Sequence, residues 1–219
     1  MATRIALATA ALLSLLLPAA AIGQPAKPVT EAELSARLKE AESSPKQLEA
    51  AARAGAKVAT FCANCHGDGG NSVKPDVPNL AGQNVHYLLE QMRQFSDGRR
   101  KNSDFKKRLI KVLSPEEKVS LIAFYSTQPV TSKPASNAAL VRKGKELYLK
   151  DCAECHEDNG RGTEKYARVA GQQVGYLSAT LKGYRDGSSA RINRQMAISI
   201  EGMTDPEIAA VVAYVSSMQ

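Results

Sequence analysis

Cys62-Ala63-Asn64-Cys65-His66 and Cys152-Ala153-Glu154-Cys155-His156 use all four cysteines and two of the three histidines of the chain. Both spell C-x-x-C-H, the signature of c-type haem attachment. The spacing suits the chemistry. Two thiols a helical turn apart can add to the two vinyl groups of one haem, and the adjacent imidazole can bind its iron. Other chemistries use the same residue types. A C-x-x-C pair can be a dithiol redox motif, but that expects a βαβ setting which this chain lacks. Two such pairs can hold zinc. These lie about 90 residues apart, wider than a zinc ribbon, and each carries its own histidine. Four cysteines can also form two structural disulfides. Two complete pentapeptides with no cysteine left over point to two covalent haems.

The N-terminus supports this independently. Arg4 precedes an apolar run over residues 5–17, then Pro18 and a small-residue stretch, Ala19-Ala20-Ala21-Ile22-Gly23. That is a charged n-region, an h-region and a small-residue cleavage site. Residues 1–23 therefore read as a signal peptide, with an uncleaved membrane anchor as the competing reading. Cleavage after Gly23 leaves an exported, periplasmic protein, and bacteria attach c-type haem outside the cytoplasm. No other stretch is long and apolar enough to cross a bilayer, so the mature chain is expected to lack a transmembrane segment.

Composition narrows the partners. The chain has 29 Lys+Arg against 22 Asp+Glu, a formal net charge of +7. A mild basic excess suits an acidic partner surface, or serves solubility alone. Nucleic acid is excluded as a partner: the cations are scattered and no recognition motif occurs. The one dense basic run is Arg99-Arg100-Lys101 with Lys106-Lys107-Arg108 close behind. Such a run is most often a solvated face.

Stepping outward from the two motifs, the elements that must hold them repeat. The first motif is followed by Asn79-Leu80-Ala81-Gly82-Gln83, Tyr87-Leu88 and Phe95-Ser96-Asp97-Gly98. After the second come Val169-Ala170-Gly171-Gln172, Tyr176-Leu177 and Tyr184-Arg185-Asp186-Gly187. Val85, Leu88, Leu89, Met92 and Phe95 form one apolar helical stripe, and Val174, Leu177, Leu181 and Tyr184 form its counterpart. Ser114-Pro115-Glu116-Glu117 and Thr204-Asp205-Pro206-Glu207 each predict a capping box that opens a final helix. Ile208, Val211, Val212 and Val215 then recur at helical spacing, matched by Val119, Ile122 and Ala123. Each unit is thus predicted to be a motif-bearing helix, a loop, a middle helix and a C-terminal helix, with no strand. Units of about 80 residues are small for a self-sufficient core, and a covalent haem would make up the deficit. The boundaries read as a signal peptide (1–23), a linker with an extra helix (24–50), a first domain (51–127), a Pro/Ser-rich linker (128–137) and a second domain (138–219).

Over residues 50–219 this pattern resembles the dihaem cytochromes c4. The resemblance rests on the two C-x-x-C-H motifs, Leu80-Ala81-Gly82-Gln83 with Tyr87-Leu88, Ala170-Gly171-Gln172 with Tyr176-Leu177, and the two capped final helices. It implies an all-α fold of two tandem class I cytochrome c domains, each wrapping one covalently bound haem. It also implies a carrier that passes single electrons in the periplasm between respiratory redox partners, such as a membrane complex or terminal oxidase. Cys62, Cys65, Cys152 and Cys155 would hold the haems, and His66 and His156 would be the proximal iron ligands.

In that family the sixth ligand is methionine. Met196 stands seven residues before Met203, where the resemblance places it; ordinary core packing is the other reading of Met196. Met203 falls on an apolar packing position. The first domain departs from the pattern. Lys106 occupies the corresponding place, with Lys107 beside it, and no methionine lies between Met92 and Met196. Met92 belongs to the middle-helix stripe. His86, the third histidine, reads as a surface residue or as a ligand that swings in. Haem 1 is therefore open, or bound by Lys106, Lys107 or His86. A lysine must lose its proton to bind iron. Without methionine, haem 1 is expected to have the lower potential. The alternative function is a haem enzyme, or its electron-transfer subunit, with haem 1 acting on a reduced sulfur compound or peroxide. Pro78 stands where the fold places a proline carbonyl toward the haem histidine; Ala167 stands there in the second domain.

Overall fold

A computed structural model of the protein describes residues 30–101, 104–134 and 137–219. The signal segment, residues 1–23, and the first part of the 24–50 segment lie outside the described residues. Everything described is helix, turn or loop, with no strand among the described residues.

The first unit is built from α1 (Glu31–Glu42), α2 (Pro45–His66), α3 (Val85–Asp97), α4 (Asp104–Val112) and α5 (Pro115–Thr127). The extra N-terminal helix α1 opens on a Thr30/Glu33 capping box. It docks on α2 and α5, driving Leu38 to full burial, with Leu34 and Ala41 alongside. Arg37 pairs with Glu116 at the start of α5, and Glu31 with Arg93 of α3 at 2.7 Å. The motif helix α2 opens at Ser44, whose side chain accepts from Gln47, with Pro45 in the first turn. It runs 22 residues without a break, across residue 51, and ends on the motif's histidine. The core beneath is Leu88 and Leu89 from α3 with Val119, Leu121, Ile122 and Tyr125 from α5.

The second unit repeats this with α6 (Ala138–Asp151), α7 (Ala153–His156), α8 (Val174–Arg185), α9 (Arg194–Ser199) and α10 (Asp205–Ser217). Here the motif helix breaks at Cys152 (φ −124°, ψ −33°), so α7 is a separate turn. Tyr148, Ile200, Ile208, Val211 and Val215 form the centre of the core. Both predicted capping boxes form, Ser114 with Glu117 and Thr204 with Glu207.

One crossing organises each unit, and it rests on a glycine. At Gly55 of α2 a Cβ would collide with the Ser120 carbonyl of α5 and lie 2.8 Å from Phe124 Cβ. At Gly144 of α6 it would collide with the Ala210 carbonyl of α10 and lie 2.9 Å from Tyr214 Cβ. Absence of a side chain lets the backbones touch. The aromatic one turn on in the partner helix then packs beside the gap.

The units face each other through paired amides. Gln83 donates to Arg168 O (2.9 Å) and accepts from Arg168 N (2.7 Å). Gln172 does the same to Asn79, at 3.1 and 2.7 Å. These are equivalent glutamines of the two repeats, so the contact has an approximate two-fold symmetry. Asn79, Gln83, Gln172 and Gln173 are all buried, and each amide satisfies peptide groups that would otherwise be buried unpaired. The linker lies along this seam. Asn71 donates to Pro129 O and accepts from Thr131 N, both at 2.8 Å, and Val130 sits against Gly82 and Gly171.

Candidate functional site

Each unit places its motif at the C-terminal end of the motif helix. His66 Nδ1 donates to Pro78 O at 2.8 Å. His156 Nδ1 donates to Ala167 O at the same distance. The alanine carbonyl therefore replaces the proline carbonyl without loss. This bond selects the tautomer whose Nε2 lone pair is free, the form that binds metal. Burial holds both imidazoles below their ordinary pKa, against the opposing effect of the carbonyl. For His66, the positive charges of Lys106 and Arg100 act in the same direction as burial. Neutral imidazole is what iron requires.

The four thiols are not disulfide-bonded. Cys62 and Cys152 are partly buried. Burial pushes the Cys62 thiol up, and burial followed by the Asp151 charge pushes that of Cys152 up to about 12. These are poor nucleophiles in a dithiol-exchange sense. Among the described residues no group of three or more His, Cys, Asp or Glu is arranged to hold a metal ion.

Within the second unit, Arg191 donates to the Tyr176 hydroxyl. Arg100 stacks 4.3 Å over the Phe95 ring and donates to Gln91 Oε1 at 2.8 Å, while Lys101 N donates to Ala190 O at 2.8 Å. Burial, then the charge of Arg191, holds the Arg100 guanidinium below its usual range. Two partly buried guanidiniums sharing phenols form a cradle for anions. A haem carries two carboxylates, so this donor set fits it as well as the thiols and imidazoles do. Sequence reasoning did not single out Arg191 or Tyr176 for this role. The signal lies in the approach of Arg100 from the first unit to Arg191 and Tyr176 of the second, which spacing along one chain does not carry.

The sixth-ligand candidates fall in different places. Met196 lies on α9, its N–H accepted by Asn193 at 3.1 Å, partly buried against the second core. Met203 is buried within that core, and Met92 packs against the first. Lys106 points inward from α4, its Nζ 5.6 Å from the Phe95 ring centroid. Burial, then Arg100, holds its ammonium below the ordinary lysine value, and its charge bears on both Cys65 and His66. Lys107 turns instead toward Gly98, where an added Cβ would lie 3.4 Å from its Nζ. His86 is exposed, 3.9 Å from Glu42 of α1.

Residues 52–117 and 141–219 match the family model "Cytochrome c". Cytochrome c4 of Thiocapsa roseopersicina is 33% identical over 175 residues, covering 74% of this chain and 90% of the relative. The chain belongs to the cytochrome c4 family. A crystal structure of reduced recombinant cytochrome c4 from Pseudomonas stutzeri superposes with a TM-score of 0.68 at 27% identity, over 77% of this chain and 98% of that one. A protein of Thiomonas intermedia called "thiosulfate dehydrogenase electron acceptor" is 32% identical over 142 residues, 59% of this chain and 65% of the relative. This family member is thus all-α, with two tandem cytochrome c domains, and carries two covalently bound haem c groups. Its function is electron transfer with protein redox partners. Each haem iron can gain or lose one electron, while the chain supplies ligands, insulation and docking surfaces. No helix among the described residues is long and apolar enough to cross a membrane.

Proposed function

We propose that the protein is an exported, periplasmic carrier passing single electrons between respiratory partners, among them a membrane complex such as a terminal oxidase. Cys62 with Cys65 and Cys152 with Cys155 form the thioether links, His66 and His156 are the proximal ligands, and Met196 is the distal ligand of haem 2. For haem 1 we assign Lys106 as the distal ligand. The observation that carries this is the inward lysine of α4, whose charge bears on His66 and Cys65, while Lys107 and His86 face elsewhere. Burial favours the neutral amine that iron needs.

The test is spectroscopic. Mature protein should show two covalent haems by mass spectrometry and begin near Gln24. Lys106→Ala should turn haem 1 from low-spin to high-spin in the electron paramagnetic resonance spectrum. Lys107→Ala and His86→Ala should not. An unchanged low-spin spectrum in Lys106→Ala refutes the assignment.

A second reading has one observation behind it, the similarity to a relative named for accepting electrons from thiosulfate dehydrogenase. On that reading the chain is the electron-transfer subunit of a sulfur-oxidising enzyme. Fast carbon monoxide binding at ferrous haem 1 would favour direct catalysis at an open iron. Reduction of the protein by a thiosulfate dehydrogenase, without such binding, would favour the acceptor role.

A further inference from the structure

The basic run of the sequence resolves into two parts once folded. Arg99 is absorbed in ion pairs with Asp97 and Glu90, and Arg100 and Lys106 turn inward. Lys101, Arg108 and Lys111 remain exposed. None of these three makes an ion pair with a described carboxylate. Helix α4 has no buried residue and, besides the inward Lys106, carries three cations, Lys107, Arg108 and Lys111, against a single carboxylate, Asp104. Phe105 and Val112 stand 60% and 78% exposed. They are seven residues apart with Arg108 between them, so all three share one face. An aromatic, an aliphatic and an arginine within a cationic rim is the composition of a protein interface. The equivalent helix of the second unit does not repeat it. The counterpart helix α9, Arg194–Ser199, has one cation and no aromatic.

From this we propose that the outer face of α4, with Lys101, is the docking surface for an acidic protein redox partner. The proposal rests on the electron-carrier reading above. It makes the first domain the port through which electrons are exchanged with that partner. Unpaired cations attract an acidic face over long range and raise the encounter rate, while Phe105 and Val112 supply the apolar contact that holds the complex. The asymmetry between α4 and α9 follows a functional difference rather than a folding need, since neither helix contributes a fully buried residue.

The probe is oxidised plastocyanin, a small acidic copper protein, mixed with the reduced dihaem protein in stopped flow. One electron leaves a ferrous haem and reduces Cu(II) to Cu(I). The second-order rate should fall steeply with ionic strength. Lys101→Glu/Arg108→Glu/Lys111→Glu should slow it at least about tenfold at low salt. Phe105→Ser should weaken complex formation several-fold without changing the salt dependence. A reversal of equal charge on α6, Arg142→Glu/Lys143→Glu/Lys145→Glu, should have little effect. Equal slowing by the two charge reversals, or none from that on α4, overturns the proposal. So does α4-dependent binding to phosphatidylglycerol vesicles without a rate effect on plastocyanin. Each variant is checked for an unchanged haem spectrum and melting temperature. The electron-carrier reading fails separately, if the wild-type protein exchanges no electrons with plastocyanin at any salt concentration.

Discussion

At the scale of single residues, the two units treat similar side chains differently according to what surrounds them. Met196 and Met203 are seven residues apart, yet one packs partly buried at the edge of the second core and the other is sealed inside it. Their substitutions should therefore separate. Met196→Leu conserves volume and should cost under about 1.5 kcal/mol of packing. It should abolish the thioether-to-iron charge-transfer band and lower the potential of haem 2. Met203→Ala should do the reverse, costing about 2–5 kcal/mol through the cavity it leaves with the band retained. Absorption spectra, redox titration and chemical denaturation of the two variants decide it. Loss of the band in the Met203 variant would mean that the ligand assignment in the second domain is wrong.

At the scale of elements, the motif helix of each unit crosses the final helix at a close backbone contact. Gly144 is an interior helical residue, and in an exposed helix its replacement by alanine would stabilise by about 1 kcal/mol. Here the added methyl meets the Ala210 carbonyl, which is backbone and cannot rotate away. Gly144→Ala should therefore destabilise the second domain by about 1–3 kcal/mol, seen as a lower guanidinium midpoint. Gly55→Ala should act likewise on the first, against Ser120. A gain in stability from either change would show that the helices do not touch there. Thr204→Ala, which removes a capping-box partner, should cost about 1 kcal/mol in the same assay.

For the whole molecule, the reciprocal glutamines tie the two domains together across the seam, and the two should unfold as one cooperative body. Gln83→Leu and Gln172→Leu would each leave an N–H and C=O unpaired, partly buried on Arg168 and buried on Asn79. That costs about 1–3 kcal/mol per site. The double variant should melt in two calorimetric transitions where the native protein melts in one, and X-ray scattering should report a larger radius of gyration. Two covalent haems should still be present. A single unchanged transition would show that the amide pairs do not couple the domains.

The sequence by itself determined the chemistry and most of the elements. C-x-x-C-H is a local covalent requirement, and stripe periodicity, Ser114 and Thr204 caps and the repeat are local too, so they can be read along the chain. It also exposed the missing methionine in the first domain, where Lys106 stands. Tertiary structure decided what depends on facing. Only packing turns Lys106 toward Phe95 and Lys107 toward Gly98, and leaves His86 exposed beside Glu42, because adjacent helical residues differ by about 100° in direction. Residues 24–50 gave no periodic signal strong enough to place α1, whose docking depends on Leu38 finding a gap between α2 and α5. Gly55 and Gly144 looked like ordinary glycines until a second helix lay against them. Gln83 and Gln172 marked the family in sequence, but their work across the seam appears only when two copies of one motif meet. Contacts between distant segments are set by the free energy of the whole fold, and no window along the chain contains both partners.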